Sequence, residues 1–277
     1  MIVEKYTIRL KAESLYLWTL GDVGFGGPRF DKKSFDADCE YLLSKKKRGH
    51  QVRVVGFGDY LAATSPSERA ALASVKGGKG LYDSTLESMD SSVIKDCDDF
   101  LKMVEPFKND FLVLHSGHHL WDFSRRSIHY GLNNDQYLCK KLNCTYGGVI
   151  SYSSLLFPNQ KTKWNFLAYH GSGAGRLPGS AINRRFHAHS AFYAHAVYAG
   201  HDNKRAADCG NYIWNDENQE THYIEKRSIC TGSYERAYQV GEKDGYVEEA
   251  VMQPSALGAQ ITMFEPIGGK LRVRALV

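Results

Sequence analysis

The sequence contains no long apolar run, no cysteine pair of the CxxC kind and no large excess of either charge. Residues 1–18 alternate apolar and polar side chains, so we expect neither a signal peptide nor a membrane span. The six cysteines are scattered through 277 residues, so we expect free thiols in a reducing compartment, the cytoplasm. The formal net charge of +4 does not by itself indicate a nucleic-acid partner, although it suits a site that accepts phosphate.

The length and composition are typical of a globular α/β protein, and we expect a single domain over residues 1–277. Period-two alternation and short apolar runs predict strands over residues 2–10, 15–20, 51–57, 111–114, 146–157, 163–169 and 196–199. The first two strands are expected to pair with each other. Strands over residues 211–214, 222–228, 260–264 and 270–277 are expected to form a second sheet. Helical spacing predicts helices over residues 33–47, 82–104, 136–142 and 181–194, with a helical turn over 247–252. Small polar residues over 62–80 predict a mobile surface segment.

The stretch around which the chain is organised comprises residues 110–122, DFLVLHSGHHLWD. Its apolar run over residues 111–114 is typical of a strand buried on both faces of a sheet, and it leads into a turn that carries His118 and His119. In open α/β sheets, ligands bind at the loops that leave the carboxyl ends of the strands. An isolated histidine pair is more often an ordinary surface feature, so the interpretation depends on the other strand ends.

Four further predicted strands end in the same way, with glycine beside a carboxylate or an imidazole. The residues found at the five strand ends are Asp22, Asp59, His118 with His119, His170 and His201. Carboxylates and imidazoles are ligands that divalent transition metals accept, and glycine lets the backbone bring them together. The pattern therefore predicts a metal centre, and the alternative is a set of polar turn residues with no shared target.

The order of these motifs, Gly-Asp, Gly-Asp, Gly-x-His, His-Gly and Gly-His, resembles that of the calcineurin-like metallophosphoesterases between about residues 17 and 205. The segments LHSG followed by histidine, and HGSGAGRLPG, are most similar to the phage-encoded branch. The resemblance implies a four-layer α/β/β/α sandwich of two mixed sheets. It also implies a divalent metal cofactor, with Zn²⁺ or Mn²⁺ favoured by a nitrogen-rich ligand set, and the host cytoplasm as location if the chain is phage-encoded.

The family ligands can be carried over residue by residue. The metal ligands that the resemblance implies are Asp22, Asp59, His118, His170, His201 and Asn203. The family binds two metals that share the aspartate at position 59, and its histidine positions in one of these sites hold Gly24 and Asn203 here. His118 stands where the family has asparagine, and Leu120 stands where it has an acidic residue. We therefore expect one strong metal site and a second that is weak unless Asn203 or Asp202 supplies an oxygen ligand.

The chemistry that the resemblance implies is phosphoester hydrolysis, by a phosphodiesterase or phosphatase acting on a nucleotide or a nucleic-acid-derived substrate. Asp59 and His119 are the implied catalytic residues, and His119 would assist the leaving group. Contacts to phosphate or to a base are expected from Arg176, Lys204, Arg205, Tyr60 and Trp121. The alternative is a catalytically impaired relative that binds and sequesters a phosphorylated nucleotide without cleaving it.

Overall fold

Two mixed β-sheets lie at the centre of the fold in the computed structural model, which describes residues 1–75, 81–173, 179–238 and 254–276. In spatial order, the first sheet consists of β13 (Lys270–Leu276), β12 (Ile261–Ile267), β2 (Leu15–Leu20), β3 (Gln51–Gly56), β4 (Phe111–His115) and β5 (Thr145–Gly148). β2, β3, β4 and β5 run parallel to one another, whereas β12 runs antiparallel to β2 and to β13. The loops after β2, β3 and β4 therefore leave the sheet at the same edge.

The second sheet has a parallel centre flanked by antiparallel strands. Its spatial order is β1 (Ile2–Thr7), β6 (Ile150–Phe157), β7 (Thr162–Tyr169), β8 (Ala196–Ala199), β10 (Thr221–Ser233) and β11 (Gly258–Ala259), with β9 (Arg205–Asn215) also paired to β10. β7, β8 and β10 are parallel. The predicted hairpin between β6 and β7 is confirmed, and a 3₁₀ turn over Pro158–Gln160 closes it.

Helices cover the outer faces of both sheets. They are α1 (Lys32–Lys47), α2 (Pro66–Val75), α3 (Asp83–Val104), α4 (Asn134–Leu142) and α5 (Ser180–Ala191). The side chain of Asp31 caps α1 by accepting a hydrogen bond from the Ser34 amide, and three lysines in its last turn complement the helix dipole. α1, α3 and α4 pack on the first sheet and α5 packs on the second. Among the described residues, no helix combines the length and the apolar character that a membrane span requires.

Adjacent residues of β2 show why the core has two layers. Leu17 faces the second sheet and lies in a cluster with Phe166 and Tyr198, whereas Trp18 faces the helices and packs against Phe35 of α1. Successive side chains of a strand point to opposite faces, so a strand buried on both sides is apolar throughout. One cluster lies between the helices and the first sheet, the other lies between the two sheets, and α5 covers the outer face of the second sheet. The predicted four-layer α/β/β/α sandwich of two mixed sheets is therefore confirmed.

Several predictions of strand neighbours were wrong. The first two strands do not pair with each other, because β1 pairs with β6 while β2 lies between β3 and β12. The C-terminal strands do not form a sheet of their own: β9 and β10 extend the sheet that contains β8, and β12 and β13 extend the sheet that contains β2. Alternation along a strand reports which face is buried, and it carries no information about the neighbouring strand.

The segment predicted to be mobile, residues 62–80, contains α2. The Ser65 amide donates to the Glu68 carboxylate, and the Glu68 amide donates to the Ser65 hydroxyl, which is the reciprocal capping box that begins many helices. The local pattern Ser-Pro-Ser-Glu carries this signal in the sequence. Residues 76–80 and the turn predicted over 247–252 lie outside the described residues. All six cysteines are free thiols in the described part of the chain.

Candidate metal centre

Side chains that follow four different strands meet at one point between the carboxyl ends of the two sheets. Asp59, His118, His170 and His201 each offer a ligand atom, and all four atoms lie within 4.8 Å of one another. The ring centroid of His118 lies 4.6 Å from that of His170 and 4.5 Å from that of His201. Asp59 and His118 come from the first sheet, and the other two residues come from the second. The packing of one sheet on the other therefore assembles the cluster.

The backbone is strained at four of the predicted metal ligands. Asp22, Asp59, His201 and Asn203 have positive φ angles of 48°, 51°, 67° and 51°. Residues with a side chain pay about 1–2 kcal/mol for this left-handed conformation, and such strain concentrates at functional sites. The described ranges contain seven such residues other than glycine, so more than half of them fall at this one edge of the fold.

Asp59 organises the loop that carries the two adjacent histidines. Its Oδ1 accepts hydrogen bonds from the amides of His118, at 2.5 Å, and His119, at 2.8 Å. Its Oδ2 lies 3.1 Å from Nε2 of His170. Burial opposes ionisation of the carboxyl group, but the adjacent imidazole of His170, with help from His119, holds the pKa of Asp59 well below its usual range. The carboxylate is therefore anionic and ready to bind a cation.

His170 is held in one ring orientation. Its Nδ1 lies 2.6 Å from the carbonyl oxygen of Phe57, so this nitrogen carries the proton and Nε2 points into the cluster. The side chain is 3% exposed, and Nε2 has no hydrogen-bond partner among the described residues. Burial lowers the pKa of His170, but Asp59 and Asp22 outweigh it and raise the pKa to about 9. A cation bound to Nε2 would take the place of the proton that these carboxylates favour.

His118 and His201 face each other through their Nδ1 atoms, which lie 3.0 Å apart. Burial and the charge of His170 lower the pKa of both rings, that of His201 to about 4. Both imidazoles are therefore neutral near pH 7, and a neutral imidazole is the form that ligates a metal. One carboxylate and three imidazoles, one of them with a buried nitrogen that forms no hydrogen bond within the described ranges, together fit a divalent transition metal.

Asp22 lies beside this group and not within it. It is 2% exposed, and its Oδ2 accepts a hydrogen bond of 2.8 Å from the amide of His201. Asp202, which the sequence left open as an oxygen ligand, instead forms ion pairs with Arg184 and Arg185 of α5. Its carboxylate is thus committed to α5 and is not available to a metal in this arrangement.

Arg185 fixes the turn that carries His201, and nothing in the sequence pattern indicated this role. Its guanidinium is 1% exposed and donates to the carbonyl oxygens of Ala199, at 2.6 Å, and Gly200, at 3.3 Å, besides the Asp202 carboxylate. The planar guanidinium can satisfy several acceptors at once. The sequence signal is a charged residue on the buried face of α5, between Ala181 and His189.

Two further residues support the histidine loop and were also missed. Arg69 of α2 donates hydrogen bonds to the carbonyl oxygens of His118, at 2.7 Å, and Leu120, at 3.2 Å. From the other side, Oδ2 of Asp135 accepts a hydrogen bond of 3.1 Å from the Gly117 amide. Burial raises the pKa of Asp135 to about 7. α2 and α4 therefore hold the loop between them.

The structure corrects the expectation that Tyr60 and Trp121 stack on a substrate base. Tyr60 is fully buried, and its hydroxyl donates to the carbonyl oxygen of His115 at 3.0 Å. Trp121 is 7% exposed, and its indole Nε1 donates to the Asp90 carboxylate at 2.7 Å. Both rings belong to the core between the first sheet and its helices, where Tyr60 packs against Phe100 and Trp121 bonds to Asp90, both residues of α3.

The remaining predicted residues lie around the cluster or beyond it. His119 is partly exposed, and its main chain is fixed by Asp59. Lys204 is partly buried at the end of the turn that carries His201. Arg205 begins β9, and its charge acts on Asp38 of α1, where it opposes the rise in pKa that burial causes. Arg176 lies outside the described residues.

Comparison with known proteins gives distant structural likenesses only. No family model matches the chain, and no curated protein matches it. It is similar to the solved structure of vacuolar protein sorting 29 from Cryptosporidium parvum, at 11% identity and a TM-score of 0.38, over 95% of this chain and 96% of that chain. It is also similar to wild-type Vps29 complexed with zinc from Entamoeba histolytica, at 8% identity and a TM-score of 0.34, over 94% of this chain and 98% of that chain.

Proposed function

We propose that the chain is a metal-dependent phosphoester hydrolase that acts on a nucleotide or a nucleic-acid-derived substrate. The observation that carries the proposal is the convergence of Asp59, His118, His170 and His201 within 4.8 Å, at a point where the buried Nε2 of His170 lies 3.1 Å from the Asp59 carboxylate but forms no hydrogen bond within the described ranges. Buried polar atoms are seldom left unpaired in a protein without a reason. A resident divalent cation supplies that reason.

The ligand set favours Zn²⁺ or Mn²⁺, because three of the four ligand atoms are imidazole nitrogens. When bound, such an ion supplies a nucleophilic hydroxide at neutral pH and neutralises charge on the phosphoryl oxygens. The chain contributes the arrangement: Asp59 aligns the loop of His118 and His119 through two amide hydrogen bonds. The Phe57 carbonyl oxygen fixes the tautomer of His170.

We propose that His119 donates a proton to the leaving group. Its amide is tied to Asp59, so the residue stays next to the cluster, while its side chain remains partly exposed to an incoming substrate. Lys204, three residues after His201, and Arg176 are the cations that we propose for the phosphate.

Metal content and turnover together test this function. We expect protein purified without chelator to contain Zn²⁺ or Mn²⁺ by elemental analysis, and His170→Ala to lose most of it. His119→Ala should keep its metal yet hydrolyse bis(p-nitrophenyl) phosphate about 10²–10⁴-fold more slowly, as expected for a lost general acid. His187→Ala, which removes an exposed histidine of α5, is the matched control. Full metal occupancy in His170→Ala would contradict the ligand assignment.

A second candidate function is the capture of a phosphorylated nucleotide without cleavage. It is favoured by Gly24 and Asn203, which stand at positions where the resembled family has metal-binding histidines. A protein of this kind would show no metal-dependent hydrolysis of any phosphoester offered, while a nucleotide would still raise its melting temperature by binding the folded state. Measuring both quantities on the same preparation separates the two functions.

A further inference from the structure

The segment between the histidine loop and α4 presents large side chains to solvent. It comprises residues 122–133, which we call the 122–133 loop. Ile128 is 93% exposed and Tyr130 is 60% exposed. Arg125 and Arg126 are exposed as well, and the stretch FSRRSIHYGL within the loop contains no acidic residue. Exposed apolar side chains that cluster, unlike single ones, indicate a binding surface.

The base of the 122–133 loop is held beside the proposed metal centre. The Phe123 amide donates to the carbonyl oxygen of Leu132 at 3.0 Å, which closes the loop. Asn134 accepts a hydrogen bond of 2.8 Å from the Trp121 amide and donates one of 3.4 Å to the carbonyl oxygen of His119. The loop therefore begins and ends next to the histidine that we propose as the proton donor.

The inner side chains of the loop fix its conformation. The amide and the hydroxyl of Ser124 donate to the carboxylate of Asp90 in α3, the hydroxyl at 2.5 Å. The ring of His129 packs edge to face on Tyr137 of α4, with the centroids 4.7 Å apart. Because these contacts hold the loop to two helices, the exposure of the two residues that flank His129 is a feature of the fold and not the result of a loosely held segment.

Arg126 brings a further aromatic residue to this surface. Its guanidinium donates to the carboxylate of Asp83 at 2.7 Å, so Tyr82, which precedes Asp83 and is 84% exposed, lies beside the loop. An ion pair between exposed side chains contributes little to stability, so Arg126 can exchange Asp83 for another anion. The residues of the resulting surface, which we call the outer surface of the loop, are Tyr82, Arg125, Arg126, Ile128 and Tyr130.

We propose that the outer surface of the loop binds a single strand of nucleic acid and places one of its phosphodiesters at the proposed metal centre. The inference rests on the proposed function and narrows its substrate from a nucleotide to a strand. Tyrosine rings stack on bases of any sequence, and arginine both pairs with phosphate and stacks on bases. Arg125 follows His119 by six residues, so the chain between them spans at most about 20 Å. Single-strand-binding domains contact about 4–16 nucleotides, which is enough to cover that distance.

The charge of the outer surface favours nucleic acid over a second copy of the chain. The surface carries two arginines, and the carboxylate of Asp83 pairs with one of them. In a symmetric dimer each copy places the same patch against the other, so the arginines of the two copies would approach one another. A polyanion instead neutralises both arginines and releases its counterions.

Fluorescence anisotropy with a fluorescein-labelled oligothymidylate of about twelve nucleotides tests the proposal. Phosphorothioate linkages in the strand slow its hydrolysis during the measurement. We expect the wild type to bind the strand, and Tyr130→Ser to weaken binding at least about fivefold through the lost stacking. Arg125→Ala should also weaken binding, and it should reduce the slope of log affinity against log salt concentration by about 0.7, the value for one phosphate contact on a single strand.

Two control variants remove the same chemistry from other surfaces. Tyr223→Ser removes an exposed tyrosine of β10, and Arg9→Ala removes an exposed arginine that follows β1, so both should bind the strand as tightly as the wild type. Equal affinity of the wild type, Tyr130→Ser and Arg125→Ala would overturn the proposal. A wild-type dimer in sedimentation that Ile128→Ser dissociates would also overturn it, because the surface would then join two copies of the chain.

The outcomes separate this inference from the proposed function. A wild type that contains metal and hydrolyses bis(p-nitrophenyl) phosphate but does not bind the strand would overturn the inference and leave the proposed function intact. A wild type with neither metal nor hydrolysis would overturn both, even if it binds the strand, because no metal centre would then receive the phosphodiester.

Discussion

A single methyl group added at Gly117 should disrupt the contact between the loops after β3 and β4. A Cβ atom on this residue would lie 2.1 Å from Oδ1 and 2.2 Å from the amide nitrogen of Asp59. Favourable non-bonded contacts need about 3.5 Å, so the loops must separate by roughly 1 Å or more. The obstacle is partly backbone, since the amide nitrogen of Asp59 is one of the two nearest atoms, and a rotation of one side chain cannot relieve it.

The cost follows from the hydrogen bonds that the separation would stretch. Oδ1 of Asp59 accepts from His118 at 2.5 Å and from His119 at 2.8 Å, and a displacement of roughly 1 Å would carry both beyond normal hydrogen-bond range. Hydrogen bonds to a charged group contribute about 1.5–3 kcal/mol each, and two bonds to one carboxylate are not additive. We expect Gly117→Ala to lower the free energy of unfolding by about 2–4 kcal/mol.

Urea denaturation of the metal-free protein measures this loss, and calorimetric titration with Zn²⁺ measures its effect on the ligand set. Because Asp59 is both the anchor of the loop and a proposed ligand, affinity for the ion should fall at least about tenfold. Gly179→Ala is the matched control, since Gly179 has a φ angle of −78° and no described atom lies within 4 Å of an added Cβ. If Gly117→Ala has the stability and the Zn²⁺ affinity of the wild type, the two loops can separate without loss of free energy and the prediction is wrong.

Two further predictions concern residues assigned to the core. Trp121→Phe should lower the free energy of unfolding by about 2 kcal/mol, because it removes the hydrogen bond to the buried Asp90 carboxylate. The same variant should leave KM for a phosphoester unchanged. A raised KM together with wild-type stability would instead indicate that the indole contacts the substrate. His115 is buried, and burial lowers its pKa to about 4, so the unfolded chain takes up its proton at higher pH than the folded protein. Stability should therefore fall as the pH falls below about 6.5. Between pH 7 and pH 5, the free energy of unfolding measured by urea denaturation should fall by about 2 kcal/mol more for the wild type than for His115→Gln. The same pH dependence in both proteins would show that the pKa of His115 is not lowered by folding.

The cluster could be predicted from the sequence because local rules place its members. Asp59, His118, His170 and His201 follow strands by one to three residues, and parallel strands bring their carboxyl ends to one edge. The local glycines and the polar residue at each strand end predicted all four members, together with Asp22, which lies beside the cluster. No contact between distant residues had to be known.

The residues that could not be predicted act through tertiary contacts, which produce no periodic pattern in the sequence. Arg185 reaches the turn after β8 from α5, and Glu235 reaches Gly24 from beyond β10. A charged residue inside a fold is satisfied by partners that only the tertiary structure defines. Tyr60 and Trp121 were wrongly predicted to contact a substrate. An aromatic residue near a strand end has the same sequence pattern whether its ring faces solvent or the core.

The distribution of the four proposed ligands over both sheets also determines when such a centre can form during folding. Asp59 and His118 lie on the first sheet and His170 and His201 on the second, so the unfolded chain brings these two pairs together only after the sheets have packed. An ion that recognises this arrangement stabilises the finished fold and contributes little to a transition state in which the sheets are still separate. Bound metal would therefore slow unfolding and leave the rate of folding almost unchanged. The metal would therefore lengthen the lifetime of the native protein and would not help to nucleate its folding.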